Sequence, residues 1–250
     1  MNIVVINPNT TTAMTARIAA TAKAVAQPGT NVIAIQPSAG PVSIEGYADE
    51  AMAVPHMLEA LFAAQTSHAA SSSGGVAGYV IACFDDTGLD AARCILYAPV
   101  VGIGEAACHM ASLLAARFSV VTTLSRSISP IEHNLARYGL ASRCVRVRAA
   151  EVAVLDLEDA ASDAYAHISN EIRLALQEDR AEAVVLGCAG MTDLAARLSK
   201  EHGVPVIDGV GAAVKLIESL AGLGLTTSKR STYARPLPKT YAGATPNFIS

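Results

Sequence analysis

One segment of this chain occurs twice, and that duplication limits the fold more than any other feature. Val80-Ile81-Ala82-Cys83-Phe84-Asp85-Asp86-Thr87-Gly88-Leu89 aligns with Val185-Leu186-Gly187-Cys188-Ala189-Gly190-Met191-Thr192-Asp193-Leu194. In both, an apolar run ends in a small residue, then a cysteine, then a turn with threonine four positions on. Further along, Ala98-Pro99-Val100-Val101-Gly102 matches Val204-Pro205-Val206-Ile207-Asp208, and a Gly/Ala-rich helix start follows each. The cysteines are 105 positions apart (188 − 83) and the prolines 106 (205 − 99). A spacing this long is a domain duplication and not a solenoid period.

Uninterrupted Val/Ile runs alternate with Ala-rich segments at helical spacing. Strands are expected at Ile3–Ile6, Val32–Ile35, Tyr79–Ala82, Val100–Ile103, Phe118–Val121, Val184–Leu186 and Val204–Ile207. Helices are expected at Ala13–Ala26, Glu50–Ala64, Glu105–Ala116, Ile131–Tyr138, Asp159–Gln177, Met191–Glu201 and Gly211–Ala221. Such alternation specifies an α/β fold whose parallel sheets are covered on both faces. The duplication then predicts two lobes related by a pseudo-twofold axis, residues 1–98 plus 208–250 and residues 99–207, with the functional site in the cleft between them. Ser71–Gly75 reads as a loop, and the tail from Thr226 as an irregular arm.

Composition removes several classes of function. With 52% hydrophobic and 16% charged residues, the 250-residue chain can bury a large core. The net charge of −4 and the lack of a Lys/Arg run argue against nucleic acid. The longest uncharged stretch, Ala60–Phe84, is broken by Ser71-Ser72-Ser73-Gly74-Gly75 and cannot be one membrane span. The start, MNIVVINPNTT, has no basic leader-like region, so a cytoplasmic protein is expected. Five cysteines, with no Cys-x-x-Cys pair and no Cys/His cluster, point to reduced thiols and no metal.

Cys83 and Cys188 occupy the position where parallel sheets bind ligands, the carboxyl end of a strand. A twofold axis sets two such ends face to face, so one small molecule between the lobes meets a thiol on each side. That arrangement suits removing a proton from a stereocentre and returning it to the opposite face. One sulfur must be ionised and the other protonated. A thiol pKa near 8.5 is close to working pH, and a following helix N-terminus would favour the thiolate. Cys94, Cys108 and Cys144 lack this placement and read as core residues.

At these residues the chain resembles the aspartate/glutamate/hydantoin racemase superfamily, and within it the hydantoin racemase branch. The resemblance is carried by Asn7-Pro8-Asn9-Thr10-Thr11, Ser43-Ile44-Glu45-Gly46 with Asp49-Glu50-Ala51, the two cysteine segments, Val121-Thr122-Thr123 and the closing Thr227-Ser228-Lys229. It implies a two-lobed, oligomeric racemase without metal or pyridoxal phosphate, with Cys83 and Cys188 as the acid–base pair and a 5-monosubstituted hydantoin as substrate. Allantoin racemase and the aspartate/glutamate-type racemases are the alternatives within the superfamily. A non-catalytic two-lobed module for a small ligand is the alternative outside it.

Other positions have weaker signals. Asn9 can donate its amide to a ring carbonyl or simply build a turn. Thr122 and Thr123 can contact ligand or cap a helix. The backbone N–H groups of Phe84, Asp85, Ala189 and Gly190 are candidates to hold an enolate oxygen. Ser43, with Glu45, is on a loop expected over the cleft. Asp85 and Asp86 can cap a helix, and an acid beside a thiolate raises its pKa. Gly102-Ile103-Gly104-Glu105-Ala106-Ala107 has the shape of a dinucleotide fingerprint, but no acid follows at ribose distance, so NAD is not expected. Only five lysines occur, none in a cysteine turn, which fits an uncharged ligand.

Overall fold

The computed structural model describes residues 1–69, 75–158 and 162–239. Most of the Ser71–Gly75 loop and the tail beyond residue 239 lie outside the described residues. Two four-stranded parallel sheets are present. The first runs β2-β1-β3-β4, from β1 (Asn2–Ile6), β2 (Asn31–Ile35), β3 (Val76–Ile81) and β4 (Val100–Gly102). The second runs β6-β5-β7-β8, from β5 (Phe118–Thr122), β6 (Cys144–Ala149), β7 (Ala183–Leu186) and β8 (Val206–Ile207). The identical order, with eight helices interleaved among the described residues, bears out the α/β fold of two like halves.

Three of the central strands are buried at every position, as Val/Ile-rich runs must be when helices cover both faces: β1, β5 and β7 are entirely inside. Helix α1 (Thr12–Val25) places Met14, Ile18 and Ala22 on one stripe against the first sheet. The remaining helices are α2 (Tyr47–Ala69), α3 (Leu89–Ile95), α4 (Ile103–Leu114), α5 (Ile128–Arg137), α6 (Ala164–Gln177), α7 (Ala195–His202) and α8 (Gly209–Gly222). The last helix of each half crosses over. Helix α4 leaves β4 to pack on β7 and α5, and α8 leaves β8 to pack on β3, β4 and α1. Helices α4 and α8 also pack on each other, and a single apolar core runs through both halves.

The sequence reading differs from the structure in four places. Strand β6 was not expected because Arg146 and Arg148 interrupt its apolar pattern; Arg148 is nevertheless 8% exposed, bonded to Asp179 at 2.7 and 2.8 Å and to Glu178 at 2.7 Å. Helix α3, of seven residues, is too short to show a periodicity. The segment from Met191 opens as a 3-10 turn (Ala189–Leu194), and α7 begins only at Ala195. Val100–Gly102 pairs with β3, so the first sheet continues past the expected boundary at residue 98, and Ile103 already starts α4. None of the helices among the described residues is long and apolar enough to cross a membrane.

Candidate active site

In each sheet the chain reverses its direction of winding beside the first strand, between β1 and β3 and between β5 and β7. Ligands bind at such switch points, at the carboxyl ends of the strands. Here the two switch points share one cavity, about 420 Å³ of empty space when its open mouth is included. Asn7 and Asn9 enter it from the end of β1, and Cys83, Phe84 and Asp85 from the end of β3. Thr123 and Ser127 enter after β5, and Gly187, Cys188 and Ala189 after β7. Met14, Ile44 and Val154 supply apolar wall. Both thiols are half-buried. The structure thus brings Cys83 and Cys188, one from each half, to a single cavity.

Local chain geometry explains why cysteine can stand there. Ala82 N–H donates to Ile6 O and Gly187 N–H to Val121 O, both at 2.8 Å, so each strand end is pinned to its central neighbour one residue before the sulfur. The approach is tight in the second half. A Cβ on Gly187 would lie 2.9 Å from Thr122 Cβ and 3.0 Å from its Cα, so only glycine fits. The turns then close alike: Asp86 N–H donates to Cys83 O at 3.0 Å and Met191 N–H to Cys188 O at 3.1 Å.

Each turn is also held from the opposite half. Asn134 of α5 donates to Asp85 O at 2.8 Å. Arg17 of α1 donates to Gly190 O at 3.3 Å and to Leu157 O at 2.8 Å. On the loop before α2, Glu45 accepts from Val154 N–H at 3.3 Å, joining two walls of the cavity.

The electrostatics depart from expectation. Seven-residue α3 starts six positions after Cys83, behind a left-handed Asp86 (φ 50°) and Gly88 (φ 63°), so its N-terminus does not adjoin that sulfur. Single N–H groups do the work instead. Gly190 N–H donates to Cys188 Sγ at 3.4 Å, and Asp85 N–H stabilises the ionised form of Cys83. Burial first, then the Asp85 carboxylate, still holds the Cys83 thiol well above its ordinary value. Asp85 is itself pushed up to about 7, by burial and by Glu50. As pH rises through 7 Asp85 ionises and opposes ionisation of Cys83; removing that charge must lower the thiol's pKa. Asp85→Asn is therefore expected to move the ascending limb of the pH–rate profile about one pH unit lower. An unmoved limb in a folded variant would mean that Asp85 does not act on this sulfur.

Asp86 has a different task. Its carboxylate accepts from Gly104 N–H at 2.9 Å and Glu105 N–H at 2.7 Å, capping α4, and it also accepts from Tyr138 Oη. The Gly102-Ile103-Gly104 pattern makes room for this side chain: a Cβ on Gly102 would sit 2.9 Å from Asp86 Cβ and overlap its carboxyl group. A carboxylate of the chain itself occupies the place a dinucleotide phosphate would take at such a helix start.

Of the other expected site residues, Thr123, Asn9, Phe84, Asp85 and Ala189 line the cavity. Asn9 serves the turn as well, its Oδ1 accepting from Asn7 Nδ2 at 2.8 Å and Thr11 N–H at 2.9 Å, while its Nδ2 faces Met14 Sδ at 3.3 Å. Three expectations change. Thr122 is spent on the fold, donating to Gly187 O at 3.0 Å. Ile44, and not Ser43, is the wall residue of its loop. The Gly190 and Asp85 N–H groups serve their own cysteines, which leaves those of Phe84 and Ala189 as candidates for a ligand oxygen. Asn7, Met14, Ser127 and Val154 were missed. Asn7 carried a signal in the Asn-Pro-Asn run, and Met14 and Ser127 closely follow the expected Asn9 and Thr123; Val154 comes from a segment adjacent to the cavity only in space.

A duplicated α/β fold with one thiol from each half at a shared cavity has the layout that proton transfer between two faces of one ligand requires. The sequence pattern of the Asp/Glu/Hydantoin racemase family matches residues 3–217, and the chain belongs to that family. It is 49% identical to the hydantoin racemase of Rhizobium meliloti over 97% of this chain and 98% of that one, and 45% identical to that of Pseudomonas sp. (strain NS671) over 99% and 97%. Among solved structures, the allantoin racemase from Klebsiella pneumoniae superposes with a TM-score of 0.94 at 48% identity, over 99% of this chain and 98% of that one. The resemblance to this family is borne out.

Proposed function

We propose that this enzyme racemises 5-monosubstituted hydantoins without a cofactor, with Cys83 and Cys188 as its acid–base pair. The observation that carries the reading is the lining of the cavity. Both thiols open onto it, and Lys, Arg and His are absent from its described wall. An amino acid would bring a carboxylate and an ammonium there without a cationic partner for the first. A neutral ring needs only hydrogen bonds and apolar contact. The thiolate takes the C5 proton, the C–H electron pair moves onto the adjacent ring carbonyl as an enolate, and the thiol opposite delivers its proton to the other face. The Phe84 and Ala189 N–H groups and Asn9 Nδ2 are the donors for the ring oxygens. The reading also makes the protein cytoplasmic, since free thiols persist in a reducing compartment, and the family resemblance implies a homo-oligomer.

The Klebsiella pneumoniae relative favours a second substrate, allantoin, which has the same ring with a ureido substituent. Met14, Ile44, Phe84 and Val154 offer such a substituent mostly apolar wall, so alkyl and aryl hydantoins are expected to turn over at least tenfold faster than allantoin. Single enantiomers of benzyl- and isobutyl-hydantoin and of allantoin, incubated in heavy water, would be followed by optical rotation and loss of the C5 proton. Allantoin reacting faster than both would reverse the assignment. Binding of all three with neither exchange nor inversion would indicate a non-catalytic module.

A further inference from the structure

The two halves of the site are alike in backbone but differently wired at the threonine four residues after each cysteine. Thr192 is engaged. Its hydroxyl donates to Asp208, which also caps α8 by accepting from Val210 N–H at 3.0 Å and Gly211 N–H at 2.6 Å. In the first half the carboxylate that caps the exchanged helix is Asp86, and its hydroxyl donor is Tyr138 of the other half. Thr87 is thereby released. It is 0% exposed, and its Oγ1 has no hydrogen-bond partner in the resting structure. Native proteins rarely leave a buried hydroxyl unpaired, and such a group calls for an explanation.

We propose that Thr87 is a positioning residue for Cys83, its hydroxyl donating to the sulfur when that sulfur is ionised and standing unpaired when it is not. The inference rests on the two-thiol reading of the site. A hydroxyl rotates freely about its C–O bond, so its proton can turn toward a sulfur that gains charge. A hydrogen bond from Thr87 would favour the Cys83 thiolate, as the Asp85 N–H does. The groups opposing ionisation are the Asp85 carboxylate on the same turn, itself facing Glu50 of α2, and Cys188 across the cavity. Cys188 has the Gly190 N–H but not its threonine.

The test uses Thr87→Val, which keeps the shape and removes the hydroxyl, and Thr87→Ser, which keeps the hydroxyl. Alkylation of Cys83 by iodoacetamide, followed by peptide mass spectrometry across pH, reads its ionisation directly and needs no substrate. Thr87→Val is expected to move the Cys83 profile about one pH unit higher and to slow alkylation at pH 8 about tenfold, with Thr87→Ser within about threefold of the parent. The melting temperature of Thr87→Val should equal or exceed that of the parent, because an unpaired buried hydroxyl has been removed. Enantiomers have equal free energy, so kcat/KM for the two hands must fall together, about tenfold at pH 7. An unmoved alkylation profile in folded Thr87→Val overturns the proposal. So does a shift that Thr87→Ser fails to rescue. If the alkylation profile moves but the parent racemises no hydantoin, the substrate reading fails and the role of Thr87 at Cys83 stands.

Discussion

Replacing either Cys83 or Cys188 by serine is expected to cut racemisation by about 10²- to 10⁴-fold, the range a positioned acid or base contributes. Serine preserves shape, but its hydroxyl is far too weak an acid to reach the ionised state that the base role demands. The two variants should also separate exchange from inversion. With one sulfur left, a proton can still be removed from the enantiomer facing it and returned from solvent on the same side. Each variant in heavy water should therefore exchange the C5 proton of one hand with retention, and the favoured hand should differ between the two. A Cys→Ser variant that still racemises at the parent rate removes that residue from the mechanism. The same favoured hand in both variants would place the two sulfurs on the same side of the ring.

Gly102→Ala is expected to destabilise the protein by about 3 kcal/mol or more, through the loss of a buried, multiply bonded carboxylate from its seat. A domain of this size should then melt about 6–12 °C lower. The added methyl needs the space that Asp86 fills, and Asp86 cannot yield without leaving Gly104 N–H, Glu105 N–H and Tyr138. Asp86 is also left-handed, with φ 50°, in the turn that Cys83 opens. Activity should fall with stability, because moving Asp86 shifts that sulfur. Gly75→Ala, with open space around the new methyl, is the control and should melt as the parent does. A Gly102→Ala protein as stable as the control would show that the carboxylate has another resting place.

Much of this site could be read before any coordinates, for a definite reason. A buried parallel strand must be a Val/Ile run, and a ligand-bearing strand end must be a turn, so Val80–Cys83 and Val185–Cys188 mark their positions locally. Duplication then pairs them. Charge misled the reading at β6, where Arg148 is neutralised by Asp179 and Glu178, residues that follow α6 and are distant in sequence. At Gly102-Ile103-Gly104 the sequence argued against a dinucleotide, and the occupant of the helix start is the Asp86 side chain from the end of β3.

From the sequence alone followed the α/β class, the twofold plan and the two cysteines, because each depends on neighbours within a few positions or on a repeat visible at a distance. Only the tertiary structure decided which threonine is engaged, which N–H groups serve sulfur, and that Ile44 and Val154 line the cavity in which Ser43 had been expected. Several of those outcomes depend on contacts between segments distant in the chain, such as Tyr138 on Asp86 and Glu45 on Val154. Two halves with nearly the same local pattern can make such contacts differently, and a hydrogen-bond donor used in one place is unavailable in another.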